Sequence, residues 1–272
     1  MPLTLHLHPD RTTTPSILST PPPCPAQWHS HRPFSKATAP AVPAQATTPP
    51  TPTTHPDNPD AASLSDQVRL LMRRVPYPVA IITATDPHAE TPAYRGMTVS
   101  SLNTVTLHPD PVVSFNVKRP SETLTALQSS GCFLVHLLAP GRATAALARD
   151  FARGNHHLTI VGDEGGDFEF VPLPPAPSPG EGPLHPRPLP LLRRKRDADC
   201  AAEADAAGIV SRDFPFVFEC RLHPHSVRVH DHTIVVGTVV RALHGCNAET
   251  TSAADLCLTY ANTRFWAMGH EI

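Results

Sequence analysis

The chain has 272 residues, 40% of them hydrophobic, and its 22 basic and 24 acidic side chains give a formal net charge of −2. This length and composition allow a hydrophobic core, while the near-neutral charge argues against a nucleic-acid-binding protein. No apolar run approaches the ~20 residues that span a bilayer. We therefore expect no membrane insertion and a small-molecule partner.

Prolines divide the chain into parts that can and cannot form regular structure. Of the 34 prolines, 15 lie within residues 2–59 and nine within residues 172–190. Proline fixes φ and removes a backbone donor, so such segments disfavour helices and sheets. The pattern predicts a disordered leader over residues 1–62 and one domain over residues 63–272, with a disordered insertion at about 162–213.

The leader has the composition of a targeting segment. It is rich in Thr, Pro, Ser and Ala and poor in acids, and residues 32–35 (Arg-Pro-Phe-Ser) resemble a matrix-processing site. The many prolines argue against the amphipathic helix that import receptors bind. We expect either a mitochondrial matrix protein with a transit peptide or a cytoplasmic protein with a disordered tail.

The domain is predicted to begin with an amphipathic helix. Residues 63–66 match a capping box, and the apolar residues that follow have helical spacing. This pattern predicts a helix that ends near residue 74 and packs its apolar side on the domain. Residues 79–84 then have the composition of a buried strand.

The next segment combines two strands with the start of a helix. Residues 95–106 are rich in β-branched and hydroxyl side chains at strand period, and residues 111–118 form an apolar run. Lys118 and Arg119 follow, and Ser121 begins a helix whose first N–H groups lack intrahelical partners. Cations beside a helix N-terminus predict a phosphate cradle.

The rest of the chain adds strands joined by short connections. A strand over residues 132–138 is interrupted by one polar residue, and residues 142–152 read as a helix. The predicted strands that follow are 214–222, 226–229, 233–240, 256–260 and 264–266, with a tight hairpin at residues 230–232. Seven or eight strands without a βαβ alternation predict a mainly β fold, a Greek-key type of barrel with a few short helices.

Cysteines and a basic quartet are given structural or solvent roles. The six cysteines are scattered, without a C-x-x-C or zinc-finger spacing, so we expect reduced thiols. Residues 193–196 (Arg-Arg-Lys-Arg) lie in the insertion and are expected to be a solvated charge run. A nuclear signal or a patch for an anionic surface is the alternative.

Five motifs in this order resemble the flavin reductase-like domain family, whose fold is an FMN-binding split β-barrel. They lie at residues 77–83, 96–101, 116–123, 133–136 and 231–237, so the resemblance covers most of the foldable chain. It implies an FMN-binding oxidoreductase, an NAD(P)H-dependent flavin reductase that acts as a homodimer. FMN would be the cofactor, with NADPH or NADH as co-substrate.

The resemblance also implies which residues form the site. It places the isoalloxazine and ribityl chain against residues 98–102. It places the phosphate against Lys118, Arg119, Ser121 and Thr123. The implied cofactor-binding residues are Thr98, Val99, Ser100, Ser101, Leu102, Lys118, Arg119, Ser121, Thr123 and His136. The implied catalytic residues are His232, near the nicotinamide, and Tyr260, which with Arg264 forms the closing segment. No metal ligand is expected.

These residue types suit hydride transfer. The hydride passes directly from nicotinamide C4 to flavin N5, so the protein has to orient two rings rather than supply a nucleophile. The sequence lacks G-x-G-x-x-G, so a dinucleotide would bind without a Rossmann unit. It also lacks a G-x-S-x-G nucleophile elbow.

Three alternatives stay open. The pairs His223/His225 and His230/His232 have H-x-H spacing, which places two imidazoles on one strand face and suits a metal-binding β-barrel protein. A flavin-binding module that turns over slowly or not at all would keep the FMN. An enzyme similar to pyridoxamine-phosphate oxidase would keep FMN and act on a pyridoxal-type substrate.

Overall fold

The computed structural model describes residues 63–88, 93–155, 166–174, 176, 187–195, 212–244 and 252–269. The predictions for the leader therefore lie outside the described residues, which all belong to one unit, Asn58–Ile272. The helices are α1 (Leu64–Met72), α2 (Glu122–Ser130), α3 (Arg142–Ala152) and α4 (Ala253–Leu256). The strands are β1 (Tyr77–Pro78), β2 (Ala80–Asp86), β3 (Ala93–Val99), β4 (Asn103–Thr106), β5 (Val112–Lys118), β6 (Cys132–Leu137), β7 (Phe168–Leu173), β8 (Leu189–Arg194), β9 (Phe216–Leu222), β10 (Val227–Val229), β11 (His232–His244), β12 (Thr259–Ala261) and β13 (Arg264–Trp266).

One antiparallel sheet dominates the fold. Its strand order is β3-β2-β6-β9-β11-β5-β4, with β10 paired to β11. The two end strands, β3 and β4, are consecutive in the chain and joined only by residues 100–102. The sheet must therefore curl until its ends approach each other. The result is an antiparallel half-barrel with few helices, which confirms the predicted fold class.

Alternate residues of β2 pack into two separate apolar clusters, as the strand period requires. Ala80 and Ile82 belong to a cluster that includes Leu127 of α2, whereas Ile81 belongs to a cluster that includes Phe151 of α3. The sheet thus carries one core on each face. The helices α2 and α3 each contribute to one of them.

The predicted disorder at about 162–213 is wrong for part of that segment, because β7 and β8 form an antiparallel hairpin there. Pro172 lies opposite Pro190 in its register. Two strands pair without these N–H groups when both point away from the partner, so the prolines do not prevent the hairpin. Its apolar side chains complete the core on the α3 side; they include Phe168, Leu173, Leu189, Leu191 and Leu192.

Side chains of the half-barrel hold the free edge of β8. The buried hydroxyl of Thr83 donates to the Pro190 carbonyl at 2.7 Å, and that of Thr85 donates to the Pro188 carbonyl at 2.7 Å. At the same end of the hairpin, beyond the end of β7, the buried carboxylate of Glu219 pairs with Arg241 at 2.6 Å and accepts a hydrogen bond from the backbone of Ala176. Side-chain hydrogen bonds therefore replace the missing neighbour strand.

Part of the basic quartet, residues 193–196, forms ion pairs within the domain, which differs from the prediction. Arg193 pairs with Glu169 across the hairpin at 2.6 Å, and Arg194 pairs with Asp213 at 2.5 Å. Arg194 also lies over the Phe168 ring at 4.9 Å. Two of the four cations are thus parts of the folded domain rather than a solvated charge run.

The helix α1 begins where the sequence predicts, with Ser63 as N-cap accepting from the Asp66 N–H at 3.1 Å. Its predicted packing on the domain is not observed, because none of its residues is buried and Leu64 and Leu71 are 76% and 64% exposed. Among the described helices, none has the length and apolar character needed to cross a bilayer.

The described cysteines are free thiols, as predicted. Burial raises the pKa of Cys132 to about 11 and raises that of Cys220 as well. Both thiols therefore stay protonated near neutral pH and act as core residues. Cys24, Cys200 and Cys246 lie outside the described residues.

Candidate functional site

A cleft of about 580 Å³ opens where the curled sheet fails to close, between β3 on one side and β5 with the start of α2 on the other. Its volume lies in the range typical of small-molecule sites. We call it the main cleft. It is lined by Gly96, Met97, Thr98, Val99, Ser100, Ser101, Asn116, Val117, Lys118, Pro120, Ser121, Glu122, Thr123, Phe151, Ala152, Gly154, Asn155 and His232.

The backbone of Gly96 forms a fixed wall of the main cleft. Its N–H donates to Asn155 Oδ1 at 2.7 Å, and its carbonyl accepts from the Thr123 hydroxyl at 2.9 Å. A Cβ at this position would lie 2.3 Å from Phe151 Cε1, closer than packed atoms approach. Glycine is required here because β3 and α3 are in contact at this point.

The start of α2 forms one end of the cleft and offers groups that suit an anion; we call it the candidate anion-binding end. Ser121 is the N-cap, and its hydroxyl oxygen accepts from the Leu124 N–H at 3.2 Å. The hydroxyl hydrogen of Ser121 remains a donor, and the first turn of the helix adds N–H groups and the positive end of its dipole. Thr123 is 1% exposed, and its hydroxyl hydrogen is used by Gly96. Of the two predicted phosphate hydroxyls, only that of Ser121 is left to donate.

Lys118 and His232 face each other across the β5–β11 ladder, where they are register partners. Asp231 contacts both: its Oδ1 lies 2.8 Å from His232 Nδ1, and its Oδ2 lies 3.9 Å from Lys118 Nζ. The hydrogen bond from His232 is the main cause that holds the pKa of Asp231 below its ordinary value. Asp231 thereby orients the His232 ring at the rim of the main cleft.

An acidic side chain also borders the candidate anion-binding end. Glu122 Oε2 lies 3.6 Å from Arg95 Nε and accepts from Asn155 Nδ2 at 3.3 Å. Arg95 offsets the carboxylate charge, so the neighbourhood of Ser121 stays compatible with an anion.

Most of the predicted cofactor residues are brought together in the main cleft. Thr98, Val99, Ser100, Ser101, Lys118, Ser121 and Thr123 line it, together with His232. Within this group, Thr98 donates its hydroxyl hydrogen to the Ala148 carbonyl at 2.7 Å, and Ser101 Oγ accepts from the Asn116 N–H at 2.9 Å. These two hydroxyls therefore position backbone as well as facing the cleft.

Two predicted cofactor residues near the main cleft do not line it. Leu102 packs against the core cluster on the α2 side. Arg119 lines a neighbouring depression and donates to the His230 carbonyl, while its buried Nε has no hydrogen-bond partner among the described residues.

The structure places His136 in the core rather than in the cleft, which corrects its prediction as a flavin contact. The ring is 0% exposed, its Nδ1 lies 3.2 Å from the Ile81 carbonyl, and its Nε2 accepts from the Leu192 N–H at 3.1 Å. Both ring nitrogens are thus used by backbone, which fixes a neutral ring with the proton on Nδ1. Burial lowers the pKa of His136 to about 3.

Tyr260 lies outside the main cleft, in an adjoining one of about 410 Å³ that we call the side cleft. The two clefts share Thr98, Ser100 and Ala152. The two predicted catalytic residues are therefore on different clefts that meet at the end of β3. Arg264 does not line either cleft.

Sequence reasoning missed Asn155, Phe151 and Gly96 as a unit. Asn155 follows Gly154, whose φ of 102° takes the chain past the end of α3 and towards β3. A Gly-Asn pair after a helix is the one local signal, since it marks a helix end. The partner of Asn155 lies 59 residues away in the sequence, and no local pattern gives that contact.

The four histidines of the metal alternative are not gathered in one place. The rings of His223 and His225 lie 5.1 Å apart, and His223 Nδ1 accepts from the His225 N–H. His232 is instead held by Asp231 at the main cleft. In the described part of the chain, no three His, Cys, Asp or Glu side chains form a group suited to a metal ion.

These features define a class of protein: an antiparallel half-barrel with a polar cleft at its open side. The sequence profile of the flavin reductase like domain matches residues 72–269, most of the chain. The chain belongs to the flavin reductase like domain family.

Solved structures are similar to this chain. The NADH:FAD oxidoreductase SgcE6 of Streptomyces globisporus C-1027, in complex with NAD and FAD fragments, is 22% identical, with a TM-score of 0.50 over 77% of this chain and 97% of that one. A flavin reductase domain protein from Arthrobacter sp. FB24 is 20% identical, with a TM-score of 0.49 over 76% of this chain and 99% of that one.

Proposed function

We propose that this protein is an NAD(P)H-dependent flavin reductase that binds FMN in the main cleft. The observation that carries the proposal is the convergence of the 98–101 segment, Lys118, the capped start of α2 and His232 on one cleft, in a chain of the flavin reductase like domain family. Bound flavin supplies a two-electron acceptor for hydride. The protein supplies binding and orientation.

The residues of the main cleft fit such a group. A ring system needs a fixed wall to lie against, and the Gly96 backbone, whose N–H and carbonyl are both held by hydrogen bonds, provides one together with residues 97–101. A phosphate needs a cation, hydroxyl donors and backbone N–H groups, which Lys118, Ser121 and the first turn of α2 provide. This arrangement supports a phosphorylated flavin over riboflavin.

His232 supports the nicotinamide end of the proposal. With the proton on Nδ1 donated to Asp231, the neutral ring offers Nε2 as an acceptor, and a protonated ring offers Nε2–H as a donor. The neutral ring can accept from the N–H of a carboxamide, and the protonated ring can donate to a carbonyl oxygen at the rim of the cleft. We propose His232 as the group that orients the reactants.

The test combines flavin binding with nucleotide oxidation. The full chain is titrated with FMN, FAD and riboflavin by fluorescence, and oxidation of NADPH and NADH is then followed with each flavin present. We expect FMN to bind more tightly than riboflavin and nucleotide oxidation to require flavin. Failure to bind any flavin would overturn the proposal. Tight FMN binding without nucleotide oxidation would identify a flavin-binding module that is not an enzyme.

We propose in addition that the protein acts as a homodimer. Apolar side chains of α1 and the β4 region are exposed to an unusual degree, including Leu71 at 64%, Val105 at 58% and Leu107 at 62%. Large exposed apolar patches are typical of interaction surfaces. Light scattering of the purified chain tests this, and a monomeric mass would contradict it.

For localisation we propose the mitochondrial matrix, supported by the composition of residues 1–62. Sequencing the N-terminus of the mature protein tests this. A terminus close to residue 34 is expected, whereas an intact N-terminus in the cytoplasm would contradict it.

A further inference from the structure

Two arginines of α3 and the arginine that caps its C-terminus lie on one side of that helix. Arg142, Arg149 and Arg153 are separated by seven and four residues, the spacing that places side chains on one helix face. All three are exposed. In the part of the chain that the structure describes, none of them forms an ion pair.

The arginines line two adjoining clefts. Arg149 and Arg153 line the side cleft, and Arg149 with Arg142 lines a third cleft of about 620 Å³. The side and third clefts share Arg149 and Phe265. We call the two together the arginine groove. It begins at Thr98 and Ser100, which also line the main cleft.

Aromatic rings form the wall opposite α3. Phe265 lies under the Arg149 guanidinium, with 5.0 Å between Cζ and the ring centroid, and it packs against Tyr260. Trp266 is 48% exposed, and its Nε1–H donates to the Ala261 carbonyl at 2.9 Å, which fixes the ring plane. No carboxylate is among the described residues that line the groove. Cations on one wall and aromatic rings on the other suit an adenosine phosphate.

The spacing of the arginines separates two anionic positions. Arg149 and Arg153 are one helical turn apart, so both reach one phosphate group. Arg142 lies about 10 Å further along the helix axis, beyond the reach of a group held by Arg153. A ligand that uses the whole groove therefore carries two separated anionic groups.

We propose that the arginine groove binds the adenylate part of NADPH and makes NADPH the preferred nucleotide. The inference rests on the proposed function, because it assumes a nicotinamide at the junction with the main cleft. Arg149 and Arg153 bind the pyrophosphate, Arg142 binds the 2′-phosphate, and the adenine stacks on Trp266. NADH lacks the 2′-phosphate and leaves Arg142 without a partner.

The test uses binding as well as turnover. Adenosine 2′,5′-bisphosphate and AMP, which differ only in the 2′-phosphate, are titrated calorimetrically against the full chain loaded with FMN, and KM and kcat are measured with NADPH and NADH. We expect the bisphosphate to bind about tenfold more tightly than AMP, as one charged hydrogen-bonded pair gives. Arg142→Gln is expected to abolish this difference and to raise KM for NADPH alone, with kcat unchanged. Arg149→Gln is expected to weaken the binding of both nucleotides.

Two controls make the result specific. Arg228→Gln removes an exposed arginine of β10 outside the groove and should change the binding of neither nucleotide. Arg142→Lys keeps the charge and should retain part of the preference for NADPH. This variant distinguishes the loss of a ligand contact from the loss of the fold.

Several outcomes would overturn the proposal. Equal binding of the bisphosphate and AMP would do so, as would an unchanged ratio in Arg142→Gln. A dependence of FAD binding, rather than bisphosphate binding, on Arg149 would assign the groove to the adenylate of a flavin instead. Absence of FMN binding or of any nucleotide oxidation would count against the proposed function, and the bisphosphate titration without FMN would still test the groove.

Discussion

The side-chain oxygen of Asn155 accepts a hydrogen bond from the backbone N–H of Gly96 at 2.7 Å. This contact ties the segment after α3 to β3, and the amide nitrogen of Asn155 reaches Glu122 and Thr123 at the start of α2. One side chain thereby links the three elements that surround the main cleft. The shape of the cleft depends on it.

Replacing Asn155 with alanine should loosen the cleft without unfolding the protein. The Gly96 N–H loses its partner, which we expect to lower the free energy of unfolding by about 1–3 kcal/mol. We also expect FMN binding to become weaker. Urea denaturation and a fluorescence titration measure the two effects. Asn155→Asp keeps the acceptor for Gly96 but places a carboxylate next to Glu122 Oε2, to which the amide donates at 3.3 Å, so charge repulsion should destabilise this variant as well. Equal FMN affinity in wild type and Asn155→Ala would contradict this role.

Lys118→Ala should affect the binding of FMN but not that of riboflavin. If Lys118 binds the phosphate, its loss weakens FMN binding by about 1 kcal/mol and leaves riboflavin binding unchanged. The effect is modest because the side chain is exposed. Parallel titrations with the two flavins give the difference directly. An equal loss for both would indicate a changed cleft rather than a lost phosphate contact.

His136 should make the stability of the fold depend on pH. Burial lowers its pKa in the folded chain to about 3 from 6.5, so below pH 6.5 the unfolded chain takes up a proton that the folded chain does not. The free energy of unfolding should therefore fall by about 1.4 kcal/mol per pH unit between these two values. Above pH 6.5 this residue contributes no pH dependence.

Urea denaturation between about pH 7 and pH 5 measures this term, which amounts to about 2 kcal/mol over that interval. His136→Gln removes the titrating group and should lose that much less stability on acidification. His225→Gln changes an exposed histidine and serves as the control. Parallel losses in wild type and His136→Gln would show that other groups cause the effect.

Thr83→Val tests how the β7–β8 hairpin is attached. Valine has nearly the same shape but cannot donate to the Pro190 carbonyl, which would stay buried without its partner at a cost of about 1–3 kcal/mol. We expect a matching drop in the free energy of unfolding. Thr125→Val on the exposed side of α2 should change it by less than about 0.5 kcal/mol. If both variants behaved alike, the Thr83 hydroxyl would not hold the hairpin.

The sequence was sufficient where local patterns decide the structure. The helix over residues 142–152 was predicted with the bounds it has, and Ser121 was predicted at the start of α2, because caps and periodicity are local. The hairpin after β10 was predicted for the same reason. In the site, the hydroxyls, the cation and the helix N-terminus are neighbours in the chain, and they also lie together in space.

Long-range contacts explain what was missed. The β7–β8 hairpin is stable because Thr83, Thr85 and the core of the half-barrel hold it, and its own proline-rich sequence carries no sign of them. His136 was expected to contact the flavin because the family resemblance implies it. Its partners are backbone groups of β2 and β8, which only the folded chain brings together.

The most direct test of the account is the visible spectrum of the FMN-loaded protein before and after addition of NADPH under anaerobic conditions. We expect the flavin band at ~450 nm to bleach, because the bound flavin accepts the hydride, and we expect His232→Ala to slow the bleaching while FMN stays bound. A flavin band that persists with saturating NADPH and with NADH would contradict the proposed reductase activity.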